Sequence, residues 1–118
     1  AMDALTLNRA IGELFGYRVA QRQYLGRSAY IIERNGHKEP FSDCWLIEEP
    51  LAWAEYSPNW AFDEHGAVQL IAGNPRFGIQ VVAGGFRVTV ADTAIVVEQV
   101  AFAHAVSEAW YMFVKSEV

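Results

Sequence analysis

An α+β domain built on an antiparallel sheet is the fold class this sequence predicts, and three observations carry it. Two short glycine-containing turns, Asn35-Gly36 and Gly84-Gly85, each sit between runs rich in β-branched and aromatic residues. Three other stretches repeat apolar residues at the helical spacing. The elements come as helix, strands, helix, strands, helix, joined mostly by hairpins, so the strands run antiparallel. Three helices can cover such a sheet on both faces, an α/β/α sandwich with element order α-β-β-β-α-β-β-β-α.

The first helix is predicted over Ala4 to Phe15. Asp3 supplies a capping carboxylate, and Leu7, Ile11, Leu14 and Phe15 share a face. Gly16 falls where helices end in a left-handed residue. Tyr17 to Gln23 and Ala29 to Arg34 read as strands, and Asn35-Gly36 turns His37 to Phe41 back onto the second of them. Ser42 to Trp60 has no period, two prolines and the turn-former "YSPNW". It reads as an irregular crossing loop, and a loop of that length is either functional or pinned by its own large side chains.

Phe62 to Ala72 reads as the middle helix, with Ala67, Val68, Leu70 and Ile71 on a helical pattern. Asp63 and Glu64 lie near its positive end, and "GNP" at Gly73 to Pro75 ends it. "RFGIQVVAGGFRVTVAD" is a second hairpin, with strands Phe77 to Ala83 and Phe86 to Ala91 about Gly84-Gly85. Its second arm alternates Phe86, Val88 and Val90 with Arg87 and Thr89, so one face is buried and the other wet. Ile95, Val96 and Val97 favour a further strand, Ala94 to Gln99. The last helix, about Val100 to Lys115, lines up Phe102, Val106, Ala109, Trp110 and Phe113.

With 118 residues the chain is read as a single domain over residues 2–118. At 53% hydrophobic and 19% charged residues it is globular rather than disordered. No apolar run approaches the roughly 20 residues a bilayer requires, so a cytoplasmic protein is expected. One cysteine, Cys44, cannot close an internal disulfide. His37, His65 and His104 are too scattered for a metal site. The net charge is −5, unevenly spread: Arg9, Arg18, Arg22, Arg27, Arg34 and Lys38 are six of the nine basic residues, while Glu39 to Pro75 holds seven carboxylates and no lysine or arginine. Such a run is either a solvated face or a surface presented to a basic partner.

Catalysis requires a titratable group beside a proton-exchange partner. Glu48 and Glu49 are sequence neighbours, which point apart in an extended chain, and Asp63 has a simpler task as a cap. Cys44 has no histidine near it in sequence to lower its pKa. Gly84-Gly85 lacks the further glycine and following helix of a phosphate cradle. No catalytic residue, metal ligand or cofactor is therefore expected.

Binding residues are a different matter. Between Trp45 and Trp60 the chain concentrates tryptophans and glutamates; Trp45 and Trp60 are expected in the core, Trp53 and Tyr56 at the surface. Glu48, Glu49, Trp53, Glu55 and Tyr56 are the candidate partner-binding residues. An alternative is a nucleotide ligand held by Arg18, Arg22, Tyr24, Arg27 and Tyr30, because guanidinium groups grip phosphate bidentately and tyrosines stack on bases. A self-associating structural module is the third reading, with a homo-oligomer as its sign.

The element order, "TLNRAIGELFGY" at Thr6 to Tyr17, "PNWAFDEHGAVQLI" at Pro58 to Ile71 and the closing "VAFAHAVSEAW" at Val100 to Trp110 together resemble the phage ABA-sandwich family and the related NinX-like phage proteins. On that resemblance Trp60 stands at the family's aromatic position, Asp63 at the aspartate that opens its middle helix, and Ala67 in its alanine-rich turn. Ala61 and Phe62 depart from a serine or threonine cap, and Gly66 from a helix-favouring residue. The resemblance implies a small phage or prophage accessory protein with an α/β/α sandwich fold and no catalytic activity, working in the host cytoplasm. Its partner would be a host protein such as a defence nuclease.

Overall fold

The computed structural model describes residues 2–24, 26–34, 37–38 and 59–116. Among these, the chain forms α1 (Ala4–Leu14), β1 (Tyr17–Tyr24), β2 (Arg27–Arg34), β3 (His37–Lys38), α2 (Glu64–Ile71), β4 (Phe77–Val82), β5 (Gly85–Val90), β6 (Val96–Gln99) and α3 (Phe102–Ser116). The fold is α+β, all strand pairs are antiparallel, and the element order is the one the sequence predicts. The strands form two three-stranded sheets, β1-β2-β3 and β4-β5-β6, rather than the one sheet that the element order predicts. Each sheet consists of strands consecutive in the chain, so short connections suffice to build it.

Two compact units result, Arg9–Pro58 and the combination of Ala1–Asn8 with Asn59–Val118. In the first, β1 and β2 pair without a bulge from Tyr17 opposite Arg34 to Tyr24 opposite Arg27. Gly26, at φ +76°, supplies the left-handed conformation the connection needs. Both strands therefore reach further into the turn than their β-branched residues alone indicate. β3 pairs His37 with Arg34 and Lys38 with Glu33, and the rest of the expected His37 to Phe41 strand lies outside the described residues.

The second unit packs α2 against α3, and α3 over β5 and β6. Val88, Val90, Ile95, Val97, Ala67, Ala103, Ala105, Val106 and Ala109 form its core. The alternation expected in β5 is present: Val88 and Val90 are buried while Thr89 is exposed. Small residues dominate the buried face of α3, which allows the helix to approach the valine-rich sheet closely. Phe77 meets Phe113 edge-on at 5.6 Å, Phe86 meets Phe102 at 5.5 Å, and the Arg76 guanidinium lies 5.0 Å from the centre of the Phe113 ring.

Asp3 caps α1, accepting from the Thr6 amide at 2.8 Å. That helix ends at Leu14 with Gly16 at φ +88°, and its apolar stripe divides: Leu7 and Ile11 are fully buried, Leu14 and Phe15 exposed. The middle helix begins at Glu64, two residues later than expected, because Asp63 is extended and caps it. The second hairpin turns on Ala83 and Gly84, with Val82 opposite Gly85. Gly84 takes φ +82°, while Gly85 belongs to the strand. A β-carbon on Gly85 would collide with the Gln99 carbonyl oxygen and lie 2.8 Å from the Val100 α-carbon, so this glycine serves close approach rather than the turn.

Candidate interaction surface

The segment from Asn59 to Gly66 closes the acidic, aromatic run and is the part of it that the structure describes. Its backbone is fixed from three directions. The buried Asn8 side chain accepts from the Ala61 amide at 3.0 Å, and the buried Ser107 hydroxyl donates to the Trp60 carbonyl at 2.6 Å. Within the turn itself, the Asp63 amide donates to the Asn59 carbonyl at 3.1 Å. Buried peptide groups need such partners, and two of these come from elements far away in sequence.

Gly66 is part of the same construction. A β-carbon there would lie 2.7 Å from the Asn59 carbonyl oxygen, so the turn folds back against the first turn of α2 as only glycine permits. Here is the physical reason for a glycine at a position where a helix-favouring residue is expected. Asp63 accepts from the Gly66 amide at 3.0 Å and so does the capping work that Ala61 and Phe62 cannot.

With Trp60 and Ala61 buried, the next residue points away: Phe62 is 53% exposed, and Asp63, Glu64 and His65 are exposed beside it. A large aromatic thus stands in solvent next to two carboxylates on a backbone hydrogen-bonded to Asn8 and Ser107. Trp60 lies in the core, as expected from its sequence position.

The candidate partner-binding residues Glu48, Glu49, Trp53, Glu55 and Tyr56 lie outside the described residues, as do Cys44 and Trp45. The alternative ligand residues lie on β1 and β2. Their register places positions 18, 22, 24 and 27 on one face of the hairpin, since residues of one parity alternate together and Tyr24 opposes Arg27. Position 30 opposes Gln21 and falls on the other face, so Tyr30 does not belong with the arginines. Glu33, opposite Arg18, shares the arginine face.

A polar cluster on α3 is not apparent from the apolar pattern of that helix. His104 Nε2 lies 2.8 Å from the Met2 carbonyl and 3.5 Å from Glu108 Oε1, and Gln99 donates to that same Glu108 oxygen at 3.1 Å. His104 and Glu108 are only 16% and 11% exposed along their side chains. The spacing of four residues within a helix was the available signal. What it ties together is the start of the chain, the end of β6 and the first turns of α3.

Among the described residues no group of three or more His, Cys, Asp or Glu side chains could hold a metal ion, and no helix is long and apolar enough to cross a membrane. Fold and site define a small α+β protein with an exposed acidic and aromatic surface. No family model, curated protein or solved structure matches the chain.

Proposed function

We propose that this chain is a non-enzymatic binding module that recognises a basic protein surface through the acidic, aromatic run ending at Glu64. The observation that supports the reading is Phe62, exposed beside the carboxylates of Asp63 and Glu64 on a turn whose Trp60–Ala61 peptide is held by Asn8 and Ser107. Aromatic anchors on preformed backbone lose little entropy on binding. Carboxylates around them raise the association rate with a basic partner and reject acidic ones. Glu48, Glu49, Trp53, Glu55 and Tyr56 extend this surface in the sequence. In keeping with the resemblance to phage accessory proteins, the partner is a host protein whose groove normally takes nucleic acid, such as a defence nuclease. Reversing Glu48, Glu49 and Glu55 to lysine tests this: capture of the partner should be lost, and unchanged capture would sink the idea.

A second reading is favoured by the register of β1 and β2. Positions 18, 22, 24 and 27 bring three arginines and a tyrosine to one face, a donor set suited to the phosphates and base of a nucleotide. On this reading the chain sequesters a nucleotide signal. Thermal-shift measurements with cyclic and linear nucleotides separate the two, because a ligand bound only by the folded state raises the melting temperature. A rise abolished by Arg22→Ala and Arg27→Ala supports sequestration, and no rise with any nucleotide rejects it.

A further inference from the structure

β4 is the edge of its sheet, hydrogen-bonded to β5 alone among the described strands. The phase of that ladder follows from the bond between the Ala91 amide and the Arg76 carbonyl, 2.9 Å. Arg76 stands opposite Ala91 when the register is extended by one pair, and its own amide donates to Asn74 Oδ1 at 3.1 Å. An amide-to-carbonyl bond between opposed residues marks the hydrogen-bonded class of pair, so Gly78, Gln80 and Val82 also direct their peptide groups at β5. Phe77, Ile79 and Val81 direct theirs at the open edge.

The same three residues share a sheet face with Val90, Val88 and Phe86, their partners in the register, and this is the face on which α3 packs. That helix lies over β5 and β6 and touches β4 through the Phe77 ring. Beyond Phe77 the face opens to solvent: Ile79 is 43% and Val81 79% exposed. Natural edge strands are blunted by lysine, proline, a bulge or a covering element. Phe77–Val82 contains no charged residue and no proline, and its pairing with β5 is unbroken by a bulge.

We infer that β4 is the contact strand of a two-fold dimer, in which the β4 edges of two copies pair antiparallel and join two three-stranded sheets into one of six strands. The strand is complementary to itself in a single register centred on Ile79. There Ile79 opposes its own copy, Phe77 opposes Val81 of the other chain, and the reverse. All three outward-directed residues then form hydrogen-bonded pairs, and their side chains extend one continuous apolar face across the join. Opposing positions carry no like charges. A pairing shifted by two residues loses one of the three bonded pairs, and a shift by one brings peptide groups of the wrong phase together.

The test is the mass of the intact chain in solution by light scattering after size exclusion, from micromolar to near-millimolar concentration. The wild type is expected to pass from monomer to dimer and stop there. Val81→Lys places a charge at an exposed edge position, and should weaken the dimer by about tenfold or more while the circular dichroism spectrum stays unchanged. As an independent arm, Ile79→Cys in a Cys44→Ser background should form an intermolecular disulfide under mild oxidation, because bonded antiparallel pairs hold their α-carbons about 5.5 Å apart. A wild type that stays monomeric throughout, assemblies that grow beyond the dimer, or a dimer undiminished in Val81→Lys would each overturn the assignment. So would a dimer that Ile79→Cys fails to cross-link, and this arm decides the matter if the lysine variant does not fold.

Discussion

The Ser107 hydroxyl donates a 2.6 Å hydrogen bond to the Trp60 carbonyl, and both groups are buried. On the other side of the same peptide group, the Asn8 side chain accepts from the Ala61 amide at 3.0 Å. Two side chains from the first and last helices thus hold consecutive residues of the turn that presents Phe62.

Ser107→Ala leaves the Trp60 carbonyl buried without this donor and should cost about 1–3 kcal/mol of stability by urea denaturation. Asn8→Ala should cost a similar amount. Because both act on one turn, the double variant should lose less than the sum by about 0.5 kcal/mol or more. Strict additivity would mean that the two bonds hold the turn independently.

Gly84 and Gly85 are adjacent but do different things, and alanine substitutions should separate them. Gly84→Ala meets open space and suffers only from its positive φ, a cost of about 1–2 kcal/mol. At Gly85 the added carbon strikes the backbone of Gln99 and Val100, which moves only by displacing β6. Thermal melts should show the larger loss for Gly85→Ala; equal losses would place Gly85 in the turn instead.

Asp3 titrates below the usual carboxylate value of 3.8, chiefly because its carboxylate accepts from the Thr6 amide. The Thr6 side chain adds to this and desolvation opposes it, while the Leu5 amide and His104 make lesser lowering contributions. A carboxyl group with a depressed folded-state pKa contributes stability above its unfolded pKa and loses it as pH falls through the folded value. Asp3→Ala should therefore melt lower than wild type at neutral pH, with the gap narrowing as pH falls below 3.8. A gap independent of pH would show that the charge plays no part.

Phe62→Ala removes an exposed ring and should change stability by less than about 0.5 kcal/mol. The same substitution should weaken capture of the partner by about tenfold. A large drop in melting temperature would instead make Phe62 a packing residue.

Local rules carried much of the fold. Asp3 and Asp63 cap the helices they precede, Gly16 and Gly73 take left-handed conformations at helix ends, and β5 alternates as its residue types require. Positions set by distant neighbours were less legible. Gly85 is a strand residue because Gln99 and Val100 pass close by, and Gly66 sits in a helix because Asn59 folds back on it. Neither neighbour is visible from local sequence. The β1-β2 register likewise sorts Arg18, Arg22, Tyr24 and Arg27 from Tyr30, which composition alone had grouped together. His104 and Glu108 were hidden in an apolar-looking helix, since their partners Met2 and Gln99 belong to other elements.

The proposed function rests on the binding of a protein partner by the acidic, aromatic run. Its most direct measurement is quantitative capture from bacterial extract by four immobilised forms: wild type, Glu48→Lys/Glu49→Lys/Glu55→Lys, Phe62→Ala, and Arg22→Ala/Arg27→Ala. A protein should be retained by the wild type and by the arginine variant, lost with the charge reversal and reduced with Phe62→Ala. Retention unaffected by the charge reversal would contradict it.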